Sequence, residues 1–141
     1  MTRLRERIAD DDGSILPLML GHAVLAIAVI FACVCATDLY IAQKRLDSLA
    51  DAAALAGSDG FTLVVEGDSV RAELSDDGVR EQAAAIVAAV PGEAALVSAE
   101  APDGVTARVT VATTWHPPVF SPFVPDGVAL EASATSRTAL Q

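Results

Sequence analysis

ILPLMLGHAVLAIAVIFACVCATDLYIAQKRLDSLADAAALAG, residues 15–57, is the stretch whose reading decides the fold. Between positions 15 and 36 there is no Asp, Glu, Lys or Arg. Coiled into a helix at a rise of about 1.5 Å per residue, such a segment spans about 33 Å, enough to cross the hydrocarbon core of a bilayer. Asp38 closes the apolar run, yet neither Gly nor Pro occurs between Gly21 and Gly57. The spacing therefore predicts one helix that begins in lipid and continues into water.

The water-side half carries a seam. Leu39, Ala42, Leu46, Leu49, Ala53 and Ala56 recur at alternating intervals of three and four, the a/d pattern of a helix packed along another surface. Lys44, Arg45, Asp47, Ser48 and Asp51 fall away from that line. The closing ADAAALAG, residues 50–57, combines high helix propensity with small side chains, which lets neighbouring backbones approach closely.

Working outward, the 141-residue chain has a formal charge of −10. From Asp38 onward, 15 acidic residues face 6 basic ones, so −9 of that charge lies beyond the apolar segment. No basic patch is available for phosphates, which argues against nucleic-acid binding. The N-terminal tail carries Arg3, Arg5 and Arg7 against Lys44 and Arg45 on the other flank. That bias orients the N-terminus to the cytoplasm and the acidic domain outside. Four segments result: a cytoplasmic tail at 1–14, a transmembrane segment at 15–37, its amphipathic continuation at 38–58, and a small extracytoplasmic α+β domain at 59–141. Ser14 is the expected N-cap, with Pro17 in the first turn, where its missing amide costs nothing.

Within the apolar segment, His22 reads as a neutral ring bonded to a helix neighbour rather than a functional group. Cys33 and Cys35, two positions apart on a helix, point to different sides and cannot bridge each other. Ile30-Phe31-Ala32-Cys33 loosely resembles a lipoprotein cleavage site, which would make Cys33 a lipid anchor. Phe31 and the run of Asp10, Asp11 and Asp12 fit that pattern poorly, so both cysteines read as apolar filler.

After Gly57 the periodicity changes. Phe61, Leu63 and Val65 alternate with Thr62, Val64 and Glu66, Gly67-Asp68 turns, and Val70, Ala72 and Leu74 resume the alternation, predicting a hairpin. Asp76 or Asp77 is the expected cap of a second helix with Val79, Ala83, Ile86, Val87 and Val90 on one face, stopped by Pro91-Gly92. A strand at 95–100, the turn Pro102-Asp103-Gly104 and an alternating strand at 105–111 form another hairpin. Residues 116–126 hold Pro117, Pro118, Pro122 and Pro125, which forbid helix and central strand. This loop is expected to cross the surface extended, with Phe120 and Phe123 covering the sheet or meeting another subunit. Val128, Leu130, Ala132 and Ala134 then alternate along a last strand. The fold class is α+β: a long N-terminal helix, one short helix and a small antiparallel sheet of three to five strands.

Catalytic chemistry is thin. No nucleophile has a base at motif spacing, no glycine-rich phosphate loop occurs, and the aspartates sit at turns and helix starts. Asp76 and Asp77 with Asp103 or Asp126 are the nearest approach to a cation site, and turn or capping roles explain each one separately. The expectation is a protein that is not an enzyme, with no cofactor, metal or small-molecule substrate.

Gly13-Ser14 before an apolar helix, then Asp38-Leu39-Tyr40-Ile41-Ala42-Gln43-Lys44-Arg45-Leu46 and the closing ADAAALAG, resembles the TadE/TadG-like proteins of the tight-adherence (Flp) pilus systems. The resemblance is close over residues 13–58. It implies a membrane-anchored minor pilin, pseudopilin or accessory subunit in pilus assembly or secretion, with other pilins or assembly-platform proteins as partners through the long helix. The pseudopilin branch is cut after a glycine and carries glutamate at the fifth mature position. Cleavage between Gly13 and Ser14 would put Leu18 there, so the chain resembles the TadG-type branch more and processing at Gly13 is not expected. An envelope binding module with a signal or lipid anchor is the alternative.

Overall fold

The computed structural model describes residues 12–138; of the tail expected at 1–14, residues 1–11 lie outside them and residues 12–14 are helical. The described residues fall into two compact units that divide between Thr37 and Asp38. Helix α1, Asp12–Ser58, contributes to both.

In the first unit α1 is apolar and exposed on every side. Leu16, Met19, Leu20, Val24, Leu25 and Ile30 are all solvent-facing, and the helix is long and apolar enough to cross a membrane. Because α1 begins at Asp12, the backbone of Gly13 and Ser14 is already helical, which corrects the N-cap expectation for Ser14. Pro17 accordingly lies in the second turn, where its missing N–H does break one helical hydrogen bond. His22 Nδ1 donates to the Leu18 carbonyl oxygen at 2.9 Å, and Thr37 Oγ1 donates to that of Cys33 at 2.9 Å. Each polar side chain thus finds its partner one turn back on its own helix, which satisfies it without a neighbour.

The second unit begins with the remaining part of α1 and continues as β1 (Phe61–Glu66), β2 (Ser69–Leu74), α2 (Asp76–Ala89), β3 (Ala95–Glu100), β4 (Thr106–Trp115) and β5 (Val128–Arg137). The strands form two antiparallel sheets rather than one: β1–β2, and β3–β4–β5 with β4 in the middle. Glu66 pairs with Ser69 across Gly67, whose φ of +63° at the first central position suits a two-residue II′ turn. Of the alternating residues of β1 only Phe61 packs at the edge of the core, while Leu63 and Val65 are 62% and 67% exposed. Only the base of the hairpin is tied down. Ala72 and Leu74 are buried, and the Leu74 amide donates to the Gly104 carbonyl at 2.8 Å.

Ser75, not Asp76 or Asp77, caps α2. Its backbone is extended, and its Oγ accepts from the Gly78 amide at 3.2 Å. The two aspartates fill the first turn, where negative charge opposes the positive end of the helix dipole. Val79, Ala83 and Val87 are buried and Ile86 packs at the edge of the core. Val90 becomes the C-cap and turns to solvent, so it leaves the expected face.

β4 runs four residues beyond its expected end, because residues 112–115 pair with residues 128–131 of β5. Its inner face, Ala107, Val109 and Val111, meets Leu130, Ala132 and Ala134 of β5, Ala99 of β3, and the buried faces of both helices in one core. Among the described residues nine of the 17 buried apolar ones are alanine, so backbones approach closely and little room is left for added volume.

The turn after β3 is held by Asp103. Its Oδ1 accepts from the amides of Val105 and Thr106 at 3.1 and 2.6 Å, and its Oδ2 from the Thr106 hydroxyl at 2.8 Å. The Thr106 hydroxyl, followed by the Val105 amide, holds this carboxyl below its ordinary value of 3.8. A lowered folded pKa contributes stability that is present above the ordinary value and disappears as pH falls through the folded one. The melting temperature of the wild type should therefore drop more steeply below pH 3.8 than that of Asp103→Asn. Parallel curves for the two would sink this assignment.

Candidate functional site

The seam of α1 is the natural starting point. Leu46, Leu49 and Ala53 are buried in the core, Leu39 and Ala42 pack at its edge, and Ala56 is half-buried. Ala50, Ala54 and Gly57 are buried beside them, so the covered stripe is wider than an a/d line. Within this chain the stripe is occupied by the sheet and α2 of its own domain.

The face of α1 turned to solvent holds a small polar network. Lys44 Nζ donates to Asp47 Oδ2 at 2.9 Å, while Gln43 Nε2 reaches both Asp47 Oδ1 at 3.0 Å and the Glu131 carbonyl at 3.1 Å. Hydrogen bonds from Lys44 and then Gln43 lower the Asp47 carboxyl, and the same contact raises Lys44. Lys44 is exposed while Gln43 and Asp47 are half-buried, so the ion pair is screened by water and orders side chains more than it stabilises the fold. Trp115 Nε1, at the end of β4, donates to Asp38 Oδ2 at 2.7 Å and ties the first residue of the unit to the sheet. Between them runs an open groove of about 770 Å³, lined by Tyr40, Lys44 and Leu49 of α1, Val90 and Pro91 after α2, and Trp115.

The proline loop corrects its expected form. Instead of running extended, it folds into successive turns: the amides of Phe123 and Val124 donate to the Phe120 carbonyl at 2.8 and 3.0 Å, and Ser121 Oγ donates to that of Pro117 at 2.8 Å. Phe120 and Phe123 are 42% and 81% exposed, so they do not cover the sheet. Pro117 is buried and anchors the loop.

Among the described residues no three His, Cys, Asp or Glu side chains are grouped to hold a metal ion. Asp76 Oδ1 accepts from the Ala101 amide at 2.7 Å, a structural use like that of Asp103. Cys33 and Cys35 are free thiols. Gly13 and Ser14 lie on the helical backbone of α1. The residues that sequence reasoning missed are Asp38, Gln43 and Trp115. The lone tryptophan, placed just before a proline run, was the available signal.

The fold defines a class: a small α+β domain built around the end of a helix whose preceding part is apolar enough to cross a membrane. A protein-family model described as putative Flp pilus-assembly TadE/G-like matches residues 13–72, which take in α1 from its second residue, β1 and β2 through Ala72. The chain is similar to that family over the segment where its sequence resembles it, and α2 and the three-stranded sheet lie beyond the match. No curated protein and no solved structure matches the chain.

Proposed function

We propose that this chain is a structural subunit, a minor pilin or accessory protein of the TadG type, that assembles or serves a tight-adherence (Flp) pilus from the membrane. The family match on α1 carries this reading, because it falls on the helix that a pilus subunit would use both as anchor and as contact. The exposed apolar part of α1 holds the subunit in the bilayer as a single span and offers a side to neighbouring pilins or platform proteins. In lipid such contacts come from close packing, which Gly21 and the alanines of this segment allow. The seam between Leu39 and Ala56 serves the domain itself, so partners meet other surfaces.

Topology gives the first test. With three arginines on the N-terminal flank, the span is retained with the acidic domain outside the cytoplasm. Protease added to intact spheroplasts should digest the chain beyond Asp38, whereas full protection would overturn the orientation. The pilus role has its own test. A strain lacking the chain should lose surface pili and regain them with the wild-type gene; pili of undiminished number in its absence would sink the reading.

A further inference from the structure

From Val109 to Pro125 no residue is Asp, Glu, Lys or Arg, in a domain whose net charge is −9. The second half of that run is the proline loop, and the sheet fixes where it lies. β4 ends at Trp115, paired with Val128 where β5 begins, so the loop between them sits at that end of the sheet. Trp115 donates to Asp38, the residue at which the chain leaves the apolar segment. The β1–β2 hairpin is fastened through Gly104 beyond the opposite end of β4, ten residues or about 30 Å away.

We propose that the loop at 116–127 is a second membrane contact, in which Phe120 and Phe123 enter the headgroup–acyl boundary of the bilayer that α1 crosses. The inference rests on the anchoring read above. Apolar exposure alone would suit a protein partner as well, but two features select lipid. Four prolines have no amide to leave unpaired, and the Phe123 and Val124 amides are spent on the Phe120 carbonyl, so these groups enter an apolar phase already satisfied. Tyr40 and Trp115 stand at the same end, the residue types that collect at membrane interfaces. The base of the loop is held in place: a Cβ at Gly127, where φ is +66°, would meet Thr114 Cγ2 at 2.6 Å.

The experiment uses the full chain with Cys33→Ala and Cys35→Ala, carrying one fluorescent label on cysteine. The label is placed by Phe123→Cys, by Val65→Cys on the distant hairpin, or by Val24→Cys in the apolar helix. Each protein is reconstituted into vesicles of phosphatidylethanolamine and phosphatidylglycerol with brominated acyl chains. The label at 123 should shift to the blue and lose on the order of half its emission, since the boundary lies about 5–10 Å deep. The label at 65 should lose none. Quenching at 24 but not at 123 overturns the loop contact and leaves the anchor standing, while quenching at neither removes both. A blue shift at 123 without quenching, growing with protein-to-lipid ratio, would show that another copy covers the loop and would equally overturn the proposal.

Discussion

Leu46→Glu should abolish the cooperative unfolding of the outer domain, while Ser48→Glu should leave it nearly unchanged. Leu46 is 3% exposed and sits among Leu49, Ala50, Val109 and Leu130 in the core. A glutamate there must be buried without a partner or must push α1 off the sheet, at a cost of several kcal/mol. A domain of about 100 residues has roughly 5–15 kcal/mol in all, so the loss is a large share of what exists. Ser48 faces water and only returns a hydrogen bond to the Lys44 carbonyl, so the change there should stay within about 0.5 kcal/mol. The emission of Trp115, the single tryptophan, follows both melts in the full chain held in detergent. If Leu46→Glu melts at the wild-type temperature and instead loses co-purifying assembly proteins, the seam belongs to a subunit interface and its place in this core is wrong.

Gly78→Ala should destabilise the domain by about 1–3 kcal/mol, although it replaces a helical glycine by the best helix former. Propensity alone favours the substitution by about 1 kcal/mol. Packing decides the other way. A Cβ on Gly78 would press on the carbonyl oxygen of Gly60, and one on Gly60 would lie 2.5 Å from the carbonyl oxygen of Gly78. Both atoms belong to backbone, so neither can yield without moving α2 against the end of α1. Gly21→Ala is the control, since its added methyl meets nothing within 4 Å. Denaturant midpoints for the three proteins measure the difference. A Gly78→Ala variant more stable than wild type would show that the two segments do not approach as described.

These two sites also mark where reading the sequence stops. Much that near neighbours govern was legible: the helix through residue 57, the turns at Gly67-Asp68 and Asp103-Gly104, the stop at Pro91-Gly92, and the alternation of Leu130, Ala132 and Ala134; the turns of the proline loop and the starts of both helices, equally local, were not. Those features depend on spacing, on glycine's freedom at positive φ and on proline's missing amide, all carried by adjacent residues. The resemblance of residues 13–58 was legible for the same reason, and the family match encloses it.

Contacts made across the chain were not legible. The a/d spacing showed that Leu46 needs cover, but only the fold supplies it, in a core that gathers β4 and β5 residues such as Val109 and Leu130 from more than 60 positions away. Alternation in β1 has the same pattern as in β5, yet Leu63 and Val65 stay in water while Leu130 and Ala132 are buried, because one hairpin projects and the other backs onto two helices. Asp38 looked like the end of an apolar run and is a hydrogen-bond acceptor for Trp115, 77 residues on. Ser75 took the cap expected of Asp76 because its extended backbone aims Oγ at the Gly78 amide. The chain by itself determined most of the helix, strand and turn segments, since local sterics and periodicity act within a few residues, while the last four residues of β4 needed β5 to pair with them. Which apolar faces find a partner, and which are left for a membrane or another subunit, was decided by tertiary structure, because burial depends on what distant segments bring to the same place.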